Sequence, residues 1–240
     1  MVAKYCSATS KSGEKSENYE NKRNEKRDRA LKNFLAIDTA NEYLTVLAVR
    51  DGKSYFSYIP DCSMRHSVTL MPEVDKLLTG AGMRLSDFDF FAAVVGAGSF
   101  TGIRIGISAV KGFCLATKKP SLPVTSFDLM AYNKIESGGK RLCLVNALHD
   151  SYYVCGYDET GVCYPPAYLT EEEVLSLVQD GYALYALTAL PIAEKAEVTL
   201  VDPQDGLLNA VEYLEKQGKF GELTALYVRK SSAELNASAK

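Results

Sequence analysis

The residues best suited to chemistry in this sequence are the glycines and hydroxyl side chains of VVGAGSFTGIRIGISAVKG, residues 94–112. Glycine-rich turns that open a helix can hold phosphate through their free backbone amides. A P-loop would need a Gly-Lys-Ser/Thr sequence that is missing here, and a dinucleotide fingerprint would need a glycine where Thr101 stands. What remains is a weaker anion site, in which Ser99, Thr101 and the first amides of a predicted helix hold a negative group.

The spacing of the glycines supports a second interpretation. Gly98, Gly102 and Gly106 are four residues apart, which places them on one face of that helix. Each interior glycine costs about 1 kcal/mol relative to alanine, so something is expected to approach this face closely. Ile103 and Ile107 form a neighbouring apolar stripe that is typical of a core. An exposed smooth strip beside it would be a binding surface for a second helix.

Arg104 and Lys111 lie near the edge of this glycine face, and their polar contacts would align a second helix on it. If the face is open, Gly102→Leu or Gly106→Leu should abolish docking and leave the monomer folded. A face already filled by the interior of the chain itself would contradict this interpretation.

Catalytic motifs of other kinds are weak. The two histidines, His66 and His149, are 83 residues apart, which does not suit a metallopeptidase, and the Gly-x-Ser-x-Gly of serine hydrolases is missing. A triad of Asp38 and His66 with Ser99 is speculative, and His66 is read as a helix-start or interface residue. The six cysteines form no Cys-x-x-Cys pair, so we expect free thiols and no zinc site.

Composition and charge fit an ordinary globular protein. The 240 residues are 47% hydrophobic and 24% charged, with a net charge of −3. Residues 1–33 hold nine Lys and Arg against five Asp and Glu and have few apolar side chains, so they are predicted to be a disordered extension. The remaining 18 basic and 25 acidic residues make the folded part acidic. Strong binding of nucleic acid driven by its overall charge is therefore not expected from it. The longest apolar runs are too short to cross a membrane.

The elements that must position these residues follow from hydrophobic periodicity. In the first half we predict a strand, turn and strand over 34–49, a third strand after Asp51-Gly52, and a helix over 63–79 that contains Pro72. A buried strand over 87–96 precedes the glycine segment, whose helix runs to about Thr117. Residues 118–126 are read as a connection, and 127–135 as a further helix.

The second half repeats this order loosely. Strands are predicted over 141–147, 151–158 and 182–187, and a closing strand over 223–230. Thr170 and Glu173 form a capping box at the start of a helix. A last helix is predicted from Asp205, with Gly218 as its C-cap. The recurrence of β-β-β-α-β-α suggests duplicated α/β lobes over 34–126 and 127–240.

Four segments carry a resemblance to a known family. VVGAGSFTGIRIGISAVKGF resembles the glycine signature of the TsaB (YeaZ) family, and LAIDTA resembles its opening strand and turn. RHSVTLMPEVDKLL is similar to its first helix, and LYVRKSSAE to its closing segment. Together the likeness spans roughly residues 34–235. Ala97 replaces the proline of the signature, and Asn146 and Leu148 stand where the family has Asp and Arg.

The resemblance implies a two-lobed actin, sugar-kinase and Hsp70-like (ASKHA) fold with mixed five-stranded sheets flanked by helices. It implies a cytoplasmic, non-catalytic adaptor that needs no cofactor. Such an adaptor supports a catalytic homologue (TsaD) in making N6-threonylcarbamoyladenosine at position 37 of tRNAs reading ANN codons. An ATPase (TsaE) joins the complex, tRNA is reached through the complex, and the adaptor forms a homodimer when it is alone.

The resemblance also implies that the partner contact is made by the first two helices of lobe one. The candidate partner-binding residues are His66, Leu70, Val74, Leu77, Gly98, Ser99, Phe100, Thr101, Gly102, Ile103, Arg104, Gly106 and Ile107. The alternative is a nucleotide-binding, kinase-like or ATPase enzyme of the same superfold, in which Asp38 and Thr39 would form part of a phosphate hairpin. The second half has no matching Asp-x-Gly phosphate turn, which favours the adaptor, and ATP titration of the isolated chain would separate the two.

Overall fold

The computed structural model describes residues 32–133 and 138–229. Its first five strands form one mixed sheet in the order β3-β2-β1-β4-β5. They are β1 (Phe34–Asp38), β2 (Leu44–Arg50), β3 (Lys53–Ile59), β4 (Phe90–Val94) and β5 (Ser121–Val124). β1, β2 and β3 are an antiparallel meander, whereas β4 runs parallel to β1 and β5 parallel to β4. The helices of this half are α1 (His66–Gly80), α2 (Phe100–Thr117) and α3 (Ser126–Ala131), with a short 3-10 helix at Leu85–Asp87.

The next five strands form a second mixed sheet, in the order β10-β9-β6-β7-β8. They are β6 (Lys140–Asn146), β7 (Ser151–Asp158), β8 (Gly161–Thr170), β9 (Tyr182–Ala186) and β10 (Val198–Leu200). Helix α4 (Glu171–Gln179) and a 3-10 helix at Pro191–Glu194 flank it, and α5 (Pro203–Lys216) follows. The antiparallel meander β6-β7-β8 and the parallel strands β9 and β10 repeat the arrangement of the first sheet. The predicted duplication of an α/β unit is confirmed.

The core is densest along the central strands of the first sheet. Every residue of β1 and β4 is buried, and Phe34 and Phe90 stack with their ring centroids 5.1 Å apart. In β6, Leu142 and Leu144 belong to one apolar cluster and Cys143 to another, because successive side chains of a strand point to opposite faces. The core cluster of the first sheet also includes Leu207 and other residues of α5. The last helix therefore packs back onto the first sheet, and the lobe boundary at residue 126 stays a prediction.

Most predicted elements are confirmed. The starts of α4 and α5 illustrate how local capping contacts determine where a helix begins. Thr170 caps α4 through its hydroxyl, while the carboxylate of Glu173 accepts from the Thr170 amide at 2.8 Å, as the capping box requires. Helix α5 begins after Asp202 rather than at Asp205, because the Asp202 carboxylate accepts from the Gln204 amide at 2.8 Å. Gly218 follows the C-cap residue of this helix with a φ of 68°.

Several elements differ from the prediction, among them β10, which has no counterpart in the predicted pattern. Residues 118–126 contain the edge strand β5, which its proline hides from a pattern search, and β8 contains the pair Pro165-Pro166. Conversely, residues 223–229 are not a strand: the Leu226 amide donates to the Val95 carbonyl at 2.7 Å, but no ladder forms among the described residues. The predicted disordered extension lies outside the described residues except for Lys32 and Asn33, and so does the end of the helix predicted over 127–135.

Candidate protein-docking site

The glycine segment opens α2 as predicted, and its first turn is tied to the β1–β2 turn. Ser99 is the N-cap, and its hydroxyl accepts from the Gly102 amide at 3.2 Å. The Ser99 amide donates to the Ala40 carbonyl at 2.7 Å. Two of the donors at this helix start are therefore satisfied by the chain itself.

The glycine face of α2 is packed against that same turn. The Thr39 hydroxyl donates to the Gly102 carbonyl at 2.7 Å in a fully buried contact. A Cβ added at Gly106 would lie 2.5 Å from Thr39 Oγ1, and one at Gly98 or Gly102 would fall on the backbone carbonyl of Ala40 or Thr39. The prediction of an open glycine face is wrong, because the close neighbour of these glycines is the hairpin of β1 and β2. Gly102→Leu and Gly106→Leu would act on folding, not only on docking.

The candidate partner-binding residues consequently divide into two groups. The first group is buried: His66, Leu70, Val74, Gly102, Ile103, Gly106 and Ile107. The second is exposed or half-buried: Leu77, Gly98, Ser99, Phe100, Thr101 and Arg104. His66 begins α1, and its Nε2 donates to the Tyr43 carbonyl at 2.9 Å, which confirms it as a helix-start residue. Whether any of these residues contacts a partner stays a prediction.

A groove is lined by α1 and α2, on the side of α2 that exposes Thr101, Arg104 and Ser108. Its volume is about 520 Å³. We call it the α1–α2 groove; its lining residues are Ser67, Leu70, Met71, Phe100, Thr101, Arg104, Ile105, Ser108 and Ala109. Met71 is 49% exposed and Val68, on the same helix, is 70% exposed. Apolar side chains exposed around a concave site are typical of a protein-binding surface.

One end of this groove holds an aromatic and cationic cluster that the sequence did not reveal. The Phe100 and Tyr227 rings stack with centroids 4.3 Å apart, and the Arg104 guanidinium carbon lies 4.0 Å from the centre of the Phe100 ring. Arg104 Nε donates to the Tyr227 hydroxyl at 2.9 Å. Tyr227 is 123 residues away along the chain, and its presence in the family-like closing segment was the only signal.

Asp38 and Thr39, the candidate nucleotide-binding pair, are both fully buried. The Asp38 carboxylate accepts from the Ala40 amide at 2.8 Å and from the Tyr43 hydroxyl at 2.9 Å. Burial raises the pKa of Asp38, and the hydrogen bonds from Ala40, Tyr43 and Asn41 oppose that shift only in part. Asp38 therefore closes the β1–β2 turn and Thr39 joins this turn to α2, and a role of the pair in nucleotide binding stays a prediction.

The positions that depart from the family pattern lie in the β6–β7 turn. The Asn146 carbonyl side chain accepts from the Leu148 amide at 2.8 Å, and Leu148 is 65% exposed. Leu148, His149 and Asp150 all have left-handed backbone angles, with φ between 52° and 65°. Asn146 thus shapes the turn and places Leu148 at the surface.

The described residues contain neither a candidate metal site nor a membrane-spanning helix. Within 32–133 and 138–229, no group of three or more His, Cys, Asp and Glu side chains could hold a metal ion. The same residues include no helix long and apolar enough to cross a membrane. The described cysteines, Cys62, Cys114, Cys143, Cys155 and Cys163, are free thiols.

Comparison with known proteins gives three consistent results. The family model described as "TsaD: tRNA N6-adenosine threonylcarbamoyltransferase" matches residues 59–194. The "tRNA threonylcarbamoyladenosine biosynthesis protein TsaB" of Escherichia coli is 33% identical over 133 residues, which are 54% of this chain and 57% of that protein. The protein of the same name from Bacillus subtilis is 34% identical over 100 residues, 42% of this chain and 44% of that protein. The chain spans about half the length of the curated relatives it matches.

The structural comparison identifies the fold. The crystal structure of "YeaZ from Pseudomonas aeruginosa" superposes with a TM-score of 0.66 at 23% identity, covering 82% of this chain and all of that one. A second Pseudomonas aeruginosa structure, of a protein described as similar to peptidase YEAZ, gives a TM-score of 0.68 and covers 83% of this chain. The ASKHA-like α/β fold expected from the sequence is confirmed. Since the family model covers more than half of the chain, the chain belongs to the family of TsaD and TsaB (YeaZ) proteins.

Proposed function

We propose that this chain is the non-catalytic partner subunit of the machinery that makes N6-threonylcarbamoyladenosine in tRNA. The observation that carries the proposal is the exposed, largely apolar α1–α2 groove in a chain of this family. The curated relatives bear the name of the biosynthesis pathway, and the family model bears the name of the transferase. A subunit that offers a groove between two surface helices is suited to bind a homologous subunit through its corresponding helices.

The chemistry would belong to the TsaD-type partner. The Asp38 carboxylate already accepts from the Ala40 amide and the Tyr43 hydroxyl, and the Thr39 hydroxyl already donates to the Gly102 carbonyl of α2, so both buried side chains have partners within the chain. At the start of α2, the amides of Ser99 and Gly102 are also already bonded within the chain, which leaves fewer donors for an anion. These contacts favour a binding subunit over a kinase-like enzyme.

The remaining members of the assembly follow from the same proposal. A TsaE-like ATPase would join the complex, and tRNA would be held through the complex because residues 34–240 carry 18 basic against 25 acidic residues. When the TsaD-type subunit is absent, a second copy of this chain would cover the groove as a homodimer. The complex would act in the cytoplasm, where tRNA is modified.

The experiment that tests this function is depletion of the protein, followed by mass analysis of adenosine 37 in tRNAs that read ANN codons. We expect the threonylcarbamoyl modification to fall, and re-expression of the full chain to restore it. Purified chain should also bind the TsaD-type subunit of the same organism. Unchanged modification after depletion would contradict the proposal, and tight magnesium-dependent ATP binding with turnover by the isolated chain would support the enzyme instead.

A further inference from the structure

The cluster of Phe100, Arg104 and Tyr227 fixes a positive charge at the α1–α2 groove. Arg104 stands one helical turn after Phe100, and its guanidinium lies over the face of that ring at 4.0 Å. Tyr227 stacks on Phe100 and accepts a hydrogen bond from Arg104 Nε at 2.9 Å. A guanidinium held by one ring and one hydroxyl has lost much of its rotamer freedom before any partner arrives.

Within the part of the chain that the structure describes, no carboxylate forms an ion pair with the terminal nitrogens of Arg104. Among residues 32–133 and 138–229, its recorded polar contact is the bond from Nε to Tyr227. Lys111, two turns further along α2, is different, because its Nζ lies 3.5 Å from the Glu222 carboxylate. A guanidinium has five N–H donors in a planar fork, and the terminal pair matches the two oxygens of a carboxylate.

The surroundings of Arg104 favour an acidic group over other polar ligands. Arg104 is the one charged residue among the nine that line the groove, and its neighbours there include Met71, Ile105 and Ala109. An ion pair formed beside apolar side chains is screened less by water and salt than one on an open surface. A neutral partner would leave the guanidinium desolvated and unpaired, which is unfavourable.

We propose that Phe100 and Tyr227 position Arg104 to bind a carboxylate that the docking partner inserts into the α1–α2 groove. The inference rests on the proposed function: the partner is the TsaD-type subunit, and its docking helix carries an Asp or Glu beside an apolar side chain. Tyr227 belongs to residues 223–229, and the Leu226 amide in this segment donates to the carbonyl of Val95, the residue after β4. The closing segment of the chain is therefore part of the docking site, and Arg104 selects the partner by charge.

The test is calorimetric titration of the purified TsaD-type subunit into the full chain and its variants at low and high salt. Arg104→Gln should weaken binding by about 10-fold or more and flatten the salt dependence, since one ion pair is lost. Arg104→Lys should recover only part of the affinity, because an ammonium cannot make the paired contact. Lys111→Gln removes the same charge from the same helix and is the matched control, with affinity expected to stay within about 2-fold.

Tyr227→Phe tests the positioning role separately, since it removes only the hydroxyl. It should weaken binding about 3-fold in the parent chain and have no effect when Arg104 is already Gln, because the hydroxyl acts through the guanidinium. Additive effects of the two changes would overturn the positioning role. Unchanged affinity and salt dependence in Arg104→Gln would overturn the carboxylate proposal. A parent chain that does not bind the TsaD-type subunit at all would instead contradict the proposed function.

Discussion

The two faces of helix α2 differ in what covers them. The inner face carries Gly102 and Gly106 and is filled by the β1–β2 turn through Thr39. The outer face carries Arg104 and Ile105 and lines the α1–α2 groove. Small residues at four-residue spacing thus indicate that another element packs closely against the helix, but they do not identify that element. On this helix the neighbour is the chain's own hairpin, and our proposal assigns the partner contact to the exposed apolar and cationic residues instead.

The largest effect expected from this comparison is on stability. Gly102→Ala places a Cβ on the Thr39 carbonyl and should lower the free energy of unfolding by about 3 kcal/mol, because neither backbone can move away freely. Chemical denaturation followed by circular dichroism measures the change. A loss below about 0.5 kcal/mol would show that the inner face has room for a partner after all.

A second test of this comparison is the pH dependence that Asp38 gives to the free energy of unfolding. The Asp38 carboxylate accepts hydrogen bonds within the β1–β2 turn, and this turn fills the inner face. The folded pKa of Asp38 is raised above the ordinary value of 3.8, so the native state keeps this proton at pH values where the unfolded state has released it. The contribution of Asp38 should therefore fall as pH rises from about 4, by at most about 1.4 kcal/mol per pH unit, and level off above the folded pKa. Asp38→Asn should lack this slope when its unfolding free energy is compared with the parent's across pH 4–7. Unfolding free energies of the two proteins that change in parallel with pH would contradict the raised pKa of Asp38.

The contact from Thr39 to α2 gives a smaller effect. Thr39→Val keeps the shape and removes the hydroxyl that donates to Gly102, which should destabilise the fold by about 1 kcal/mol. Thr39→Ser retains the donor and serves as the control in the same denaturation experiment. If Val and Ser prove equally stable, this hydrogen bond does not hold the turn against the helix.

The smallest expected effect on the free energy of unfolding is at Gly112, and here we expect stabilisation rather than destabilisation. This glycine lies on the same helix, but a Cβ there meets no atom within 4 Å. Gly112→Ala should raise the free energy of unfolding by about 0.5–1 kcal/mol through helix propensity alone. Destabilisation at this position would mean that the helix has a further close neighbour.

The fold could be predicted well where the information is local. The apolar run Phe34–Ile37 and the capping box of Thr170 and Glu173 each determine their element from a few adjacent residues. The edge strand containing Pro123 could not be predicted, because its pairing with β4 is a tertiary contact and proline lowers strand propensity.

The candidate site was predicted less well, because its contacts join residues that are far apart in the sequence. The glycine spacing indicated that something approaches α2 closely, but the neighbour depends on where the turn at Thr39 lies in space. Tyr227 and Arg104 meet across 123 residues, which no periodic pattern records. The sequence therefore predicted the two helices that line the α1–α2 groove, and only the structure separated the packed face of α2 from its exposed face.

The most direct test of the central claim is a binding measurement on the outer face. Met71→Glu adds a charge to the α1–α2 groove at a residue that is already 49% exposed, and Leu200→Glu makes the matched change at an exposed residue of β10. In titrations with the TsaD-type subunit, Met71→Glu should lose at least about 10-fold in affinity while its melting temperature stays at that of the parent, and Leu200→Glu should bind as the parent does. Equal affinities for the parent and both variants would contradict the assignment of the outer face as the docking site.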